Sequence, residues 1–216
     1  RVPVSRGHAA RTAPRPPSAL SKAAQSGGRR RAAHRHAVLQ QSLADGLVQH
    51  FSAIADAVDI PVILYNVPSR TGVGSRDRAY QALAKHPNIA GVKEASDDFD
   101  LIQDTLNLCP LGFTVWSGND GSTAAIMALG GKGVISVAAN VVPREMHELT
   151  QLCLENRFLE AGTLQLKLHE LIRALFCEVN PIPVKAAMEL LGLCSGELRL
   201  PLCRISELIW NSSPVR

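Results

Sequence analysis

IPVILYNVPSRTGVGSRDRAYQALAKHPNIAGVKEA (60–95) decides the fold. It opens on a short apolar run, Ile60 to Tyr65, which Pro68 stops. It closes on a second run, Ile89 to Ala95. Neither run alternates polar with apolar, and residues 76–86 between them read as a helix. Apolar strands separated by a helix imply a parallel pair, buried on both faces.

The same rhythm continues outward. Ser96 is expected to cap a helix reaching about Cys109, with Asp97 and Asp98 in its first turn, where negative charge suits the helix dipole. A third strand is expected over 113–117, then a helix over 121–129 ended by Gly130-Gly131. A fourth strand is expected over 133–138. Pro143 suits a first helical position and opens a helix to about Glu155. Upstream, Leu47, Phe51, Ile54, Ala55 and Val58 recur at helical spacing, which predicts a helix over 45–58. Downstream, helices are expected over 157–176, 183–192 and 204–210, with Asn180-Pro181-Ile182-Pro183 as the turn between the first two. The fold class is α/β. An open doubly wound sheet and a barrel both fit the pattern. No G-x-G-x-x-G follows the first strand, which counts against a dinucleotide-binding sheet. Four strand–helix units are half of the eight in a (β/α)8 barrel.

Composition narrows the function classes. Hydrophobic residues make up 46% of the 216 residues and charged residues 19%, which excludes a wholly disordered chain. Aromatics are 4%, too few for a platform that stacks single-stranded nucleic acid. No apolar run approaches the roughly 18 residues of a membrane span. The cysteines, at 109, 153, 177, 194 and 203, form no C-x-x-C pair. Neither a zinc site nor a disulfide framework is indicated, and a reducing compartment fits best.

Charge is uneven. Residues 1–44 hold nine basic residues and no acid, whereas the rest holds 14 basic and 19 acidic. The net charge of +4 therefore belongs to a basic, Ala- and Pro-rich tail with neither helical nor strand periodicity. It reads as an organelle transit peptide, a basic arm for nucleic acid through Arg29-Arg30-Arg31, or a non-native stretch, the last being preferred. A disordered basic tail is expected over 1–42.

In either α/β architecture, chemistry collects at the carboxyl ends of parallel strands. Tyr65-Asn66 stands at the first such end, Lys93-Glu94 at the second, Ser117-Gly118-Asn119-Asp120 at the third, and Ile135-Ser136 in the fourth strand. A lysine in a buried strand should have a lowered pKa and become a nucleophile for carbonyls; the plainer alternative is a lysine that snorkels or pairs with Glu94. Tyr65 offers a phenol for proton transfer, or is simply a core tyrosine. Arg70 can clamp a carboxylate, or sit in solvent. Residues 117–121 open a helix and can cradle an anion, or form an ordinary turn. His50, His86, His147 and His169 have no metal-ligand spacing and read as surface residues.

Several segments together carry a resemblance. YNVPSRTG (65–72), GVKEAS (91–96), WSGND (116–120), GGKGVISVAANV (130–141) and NPIPVK (180–185) resemble dihydrodipicolinate synthase, one of the pyruvate-dependent class I aldolases, over about 43–205. The resemblance implies strands five to eight of a (β/α)8 TIM barrel over 43–156 and a helical extension over 157–216. It implies that Lys93 forms a Schiff base with pyruvate and that Tyr65 donates and accepts protons. Arg70 would bind the carboxylate of aspartate semialdehyde, and Gly118 and Ile135 would line the pocket through backbone groups. No metal and no cofactor beyond the covalent imine is implied; pyruvate and aspartate semialdehyde are the implied partners, with a homo-oligomer, no nucleic acid and no membrane.

The expected setting is cytoplasmic, or a plastid should the tail be a genuine transit peptide. The segment corresponding to the first four strands has no counterpart, so activity of the chain alone is expected to be impaired. A half-exposed Lys93 would then stay near its ordinary pKa of about 10.4. The alternatives are another pyruvate lyase, of N-acetylneuraminate or keto-deoxy-sugar-acid type, and a non-catalytic truncated product.

Overall fold

The structure is a computed structural model that describes residues 32–74 and 77–206. Helix α1 spans Ala32–Asp56. It begins well before the expected start at residue 45 and takes in residues 32–42 of the expected tail. Alanine, leucine and glutamine favour helix intrinsically, but without an apolar stripe they leave no periodic signal. Residues 1–31 of the expected tail lie outside the described residues.

Strand β1 spans Val62–Asn66, and the short helix α2 spans Pro68–Thr71. Helix α3 covers Asp77–Leu83, β2 Ile89–Glu94, α4 Phe99–Leu108 and β3 Thr114–Ser117. A 3-10 turn at Asp120–Ser122 leads into α5, Thr123–Ala128. The last four helices are α6 (Pro143–Leu154), α7 (Phe158–Lys167), α8 (His169–Leu175) and α9 (Ile182–Leu190). The helix expected over 157–176 is thus broken at Leu168. No helix begins at 204–206, and 207–210 lie outside the described residues. No described helix is long and apolar enough to cross a membrane.

The strands run parallel in the order β1-β2-β3. Leu64, Val92 and Val115 stand in one row across them, each 3% exposed or less. They pack with Ala55 of α1, Tyr80 and Leu83 of α3, Ile102 of α4 and Ile126 of α5. Helices therefore lie on one face of the sheet. Strand order follows chain order without reversal, which is the winding of a barrel rather than of a doubly wound sheet. A second cluster joins α5 to the C-terminal helices, through Met127, Met146, Leu149, Leu152, Ile172, Leu175 and Val184.

Two expectations need correction. The strands are not buried on both faces: β1 alternates, with Ile63 38% and Tyr65 45% exposed. The helices follow one hand of crossover and leave the opposite face open. The fourth strand is also reduced, among the described residues, to a single parallel bridge, Ser117 to Val134. The Lys132 amide donates to Val115 O, Ser117 to Gly133 O and Ile135 to Ser117 O. Pairing then stops, because the Val137 and Ala138 amides donate to the Asp120 carboxylate instead and the chain turns into a 3-10 segment, Ala138–Asn140.

Candidate active site

The row after Leu64, Val92 and Val115 is Tyr65, Lys93 and Trp116. Successive side chains of a strand point to opposite faces, so this row projects from the open face. Lys93 Nζ lies 4.2 Å from the centroid of the Tyr65 ring, within cation–π range. Lys93 is half-buried, and burial pushes its pKa down from 10.5. The Asp120 carboxylate opposes that shift and the Arg70 guanidinium adds to it. The expectation that Lys93 would keep its ordinary pKa is corrected in direction: even with one face open, the flanking strands desolvate the amine.

One residue further, Asn66, Glu94 and Ser117 form a buried polar row on the helix-covered face. Glu94 does not pair with Lys93. Its carboxylate accepts from Asn66 Nδ2 at 2.9 and 3.0 Å, from the Tyr80 hydroxyl at 2.9 Å and from the Ser96 amide at 2.9 Å. A buried charge needs such partners, and these tie the ends of β1 and β2 together directly behind Tyr65 and Lys93.

Arg70 sits exposed in the last turn of α2, which Gly72 closes at φ 67°. Its Nη1 donates to Asn180 O at 3.2 Å, joining the end of β1 to the loop before α9. Gly118 is where β3 passes the end of β2: its amide donates to Glu94 O at 2.6 Å, and a Cβ there would meet the Ala95 Cβ at 2.6 Å. Only glycine permits that approach. Ile135 donates its amide to Ser117 O at 2.9 Å and so flanks β3 on its other side.

Some local details were not anticipated. Asp98, not Ser96, caps α4, its carboxylate accepting from the Leu101 amide at 3.0 Å. The turn read as a possible anion cradle spends its polar side chains on itself and on the loop after β2. Ser117 Oγ donates to Asn119 O, while Asn119 Nδ2 and Ser122 Oγ donate to Asp97. His86 is half-buried rather than at the surface and meets Asp56 Oδ1 at 3.0 Å. Asp120, 1% exposed, is the acid that strand-end position alone did not single out. Its sequence signal is slight: an acid in a turn read as an anion cradle or an ordinary strand–helix turn. Among the described residues no group of three or more His, Cys, Asp or Glu is arranged to hold a metal.

This arrangement offers an amine with a lowered pKa, a phenol beside it and a guanidinium at the rim. Together these suit attack on a carbonyl compound that carries a carboxylate.

A family model described as the dihydrodipicolinate synthetase family matches residues 19–212. The chain is 47% identical over 162 residues to a 4-hydroxy-tetrahydrodipicolinate synthase of Acetivibrio thermocellus, covering 75% of this chain and 55% of that protein. The crystal structure of dihydrodipicolinate synthase from Aquifex aeolicus aligns at a TM-score of 0.77 with 45% identity, over 78% of this chain and 58% of that one. A chloride-inhibited dihydrodipicolinate synthase from Acinetobacter baumannii, complexed with pyruvate, aligns at 0.76 with 40% identity, over 78% and 58%. The chain spans about half the length of the curated relatives it matches.

Proposed function

This chain belongs to the dihydrodipicolinate synthetase family, with its α/β TIM-barrel fold, and on that premise we propose that it carries the imine-forming site of a 4-hydroxy-tetrahydrodipicolinate synthase. The substrates are pyruvate and aspartate semialdehyde, as in lysine and diaminopimelate biosynthesis. The neutral Lys93 amine attacks the pyruvate ketone to give a carbinolamine, and water leaves as the imine forms. Loss of a methyl proton gives an enamine, whose carbon adds to the aldehyde carbon of the semialdehyde. The amine of that substrate then attacks the imine carbon, closing the ring and releasing Lys93. No external cofactor enters the scheme.

Tyr65 is suited to carry protons through the carbinolamine and imine steps. Arg70 is suited to bind the carboxylate of the semialdehyde at the rim. Gly118 and Ile135 shape the pocket by backbone approach at the end of β3. The single observation that carries the reading is Lys93, with its lowered pKa, 4.2 Å from the Tyr65 ring. Exposure of Ile63 and Tyr65 on the open face lets water reach the amine, so turnover by the 216-residue chain itself should be slow. Five cysteines without a disulfide among them favour a reducing, cytoplasmic setting.

Enamine formation can be followed directly. In heavy water with excess pyruvate, the chain should exchange the pyruvate methyl protons faster than buffer does, read by proton NMR. Lys93→Ala should return the rate to background. Equal rates for the two proteins would overturn the assignment.

A further inference from the structure

Asp120 is fixed on several sides yet half unused. Its Oδ2 accepts from the amides of Val137 and Ala138 at 3.0 and 2.9 Å. Its carbonyl accepts from Gln165 Nε2 at 3.1 Å and Thr123 Oγ1 at 3.0 Å. Its Oδ1 is buried and has no hydrogen-bond partner. Leaving a buried carboxylate oxygen unpaired is costly, and such an atom calls for an explanation in terms of function or a missing partner.

Its place in the fold supplies one. Trp116 of β3 pairs with Lys93 of β2, and Asp120 opens the turn that directly follows β3. The Gly118–Glu94 hydrogen bond holds that turn against the end of β2. The groups whose charge or ring bears on Lys93 are Asp120, Arg70 and Tyr65. Asp120 and the face of the Tyr65 ring favour the cation, against burial and Arg70, and of the two only Asp120 brings a full negative charge. Imine chemistry needs a neutral amine for attack, but afterwards a protonated imine, which draws electrons from the methyl carbon. Partial burial and the nearby Arg70 favour the first and disfavour the second.

We propose that Asp120 is a positioning residue for Lys93: its buried carboxylate supplies the fixed negative charge that keeps the Lys93 imine protonated. This rests on Lys93 being the imine-forming lysine. The amide donors on Oδ2 keep the carboxylate from swinging out to solvent, so the charge is in place before substrate arrives, which is the advantage of preorganised electrostatics.

The test reads the Lys93 amine itself. Labelling of lysines by an anhydride is followed across pH and mapped to Lys93 by peptide mass spectrometry, in the parent chain, Asp120→Asn and Asp104→Asn. Asp120→Asn keeps shape and an acceptor for the two amides, and should lower the Lys93 midpoint by roughly one pH unit, the scale of one charge several ångströms away at an effective dielectric near 20. Asp104→Asn, at an exposed carboxylate of α4, should leave it unmoved. An unchanged midpoint in Asp120→Asn, with the Val137 and Ala138 amides still protected from exchange, overturns the proposal. Should Asp120→Asn lose that protection, Asp120→Glu decides: it keeps the negative charge and should hold the Lys93 midpoint near that of the parent chain, and a midpoint lowered by about one pH unit there overturns the proposal equally. Borohydride trapping with pyruvate, run in parallel, separates the two readings. No trapping at any pH contradicts the imine function, while trapping with an unmoved labelling midpoint overturns Asp120 alone.

Discussion

Burial of half the Lys93 side chain disfavours its ammonium, and the effect reaches beyond reactivity. The folded pKa lies below the unfolded value, so between the two the unfolded chain binds the extra proton and stability rises with pH. Below the folded pKa the penalty is present in full; it is relieved as pH climbs towards 10.5. Lys93→Met should therefore raise the melting temperature at pH 7, by a margin that shrinks as pH approaches 10.5. A margin independent of pH contradicts this origin. At Tyr65 the expectation is kinetic. Tyr65→Phe keeps the ring beneath Nζ and removes the hydroxyl, so imine formation should slow by about 10²–10⁴-fold, the usual worth of general acid–base help. Stopped-flow or quenched trapping measures it, and an unchanged rate would remove Tyr65 from the proton path.

Elements bring these residues together through register, and register rests on groups behind the site. Asn66→Leu takes two donors from the buried Glu94 carboxylate and should cost about 1–3 kcal/mol or more in urea unfolding. Ile102→Ala, at a position 1% exposed where α4 meets the sheet, should cost about 2–5 kcal/mol by lost burial and cavity formation. A value under 1 kcal/mol for Ile102 would show that the cluster is not a packed core. The pairing of Tyr65 with Lys93 was legible in the sequence, because each ends an apolar run of similar length before a turn. The helix from Pro143 was legible through its proline. The first turns of α1 were not, because alanine-rich helix carries no apolar stripe. The shortened fourth strand was not, because the group that ends it, Asp120, lies far from it in sequence and acts through a side chain. Nor was the break at Leu168, since apolar residues continue through it and Leu168 is itself buried. Glu94 was read as a possible partner for Lys93, which neighbours on one strand cannot be when they project from opposite faces.

On the scale of the whole chain, one sheet face is sealed by four helices while the other carries Ile63, Tyr65, Lys93 and Trp116 towards solvent or partly so. Under the proposed function, that open face presents Lys93 where a keto acid can reach it. The central claim is that this lysine, and no other, forms the imine. Reduction with borohydride in the presence of pyruvate, followed by peptide mapping, tests it most directly. The account predicts a reduced pyruvate adduct on Lys93, absent from Lys93→Ala. Adducts spread equally over Lys85, Lys132, Lys167 and Lys185, or an adduct yield unchanged in Lys93→Ala, would contradict it.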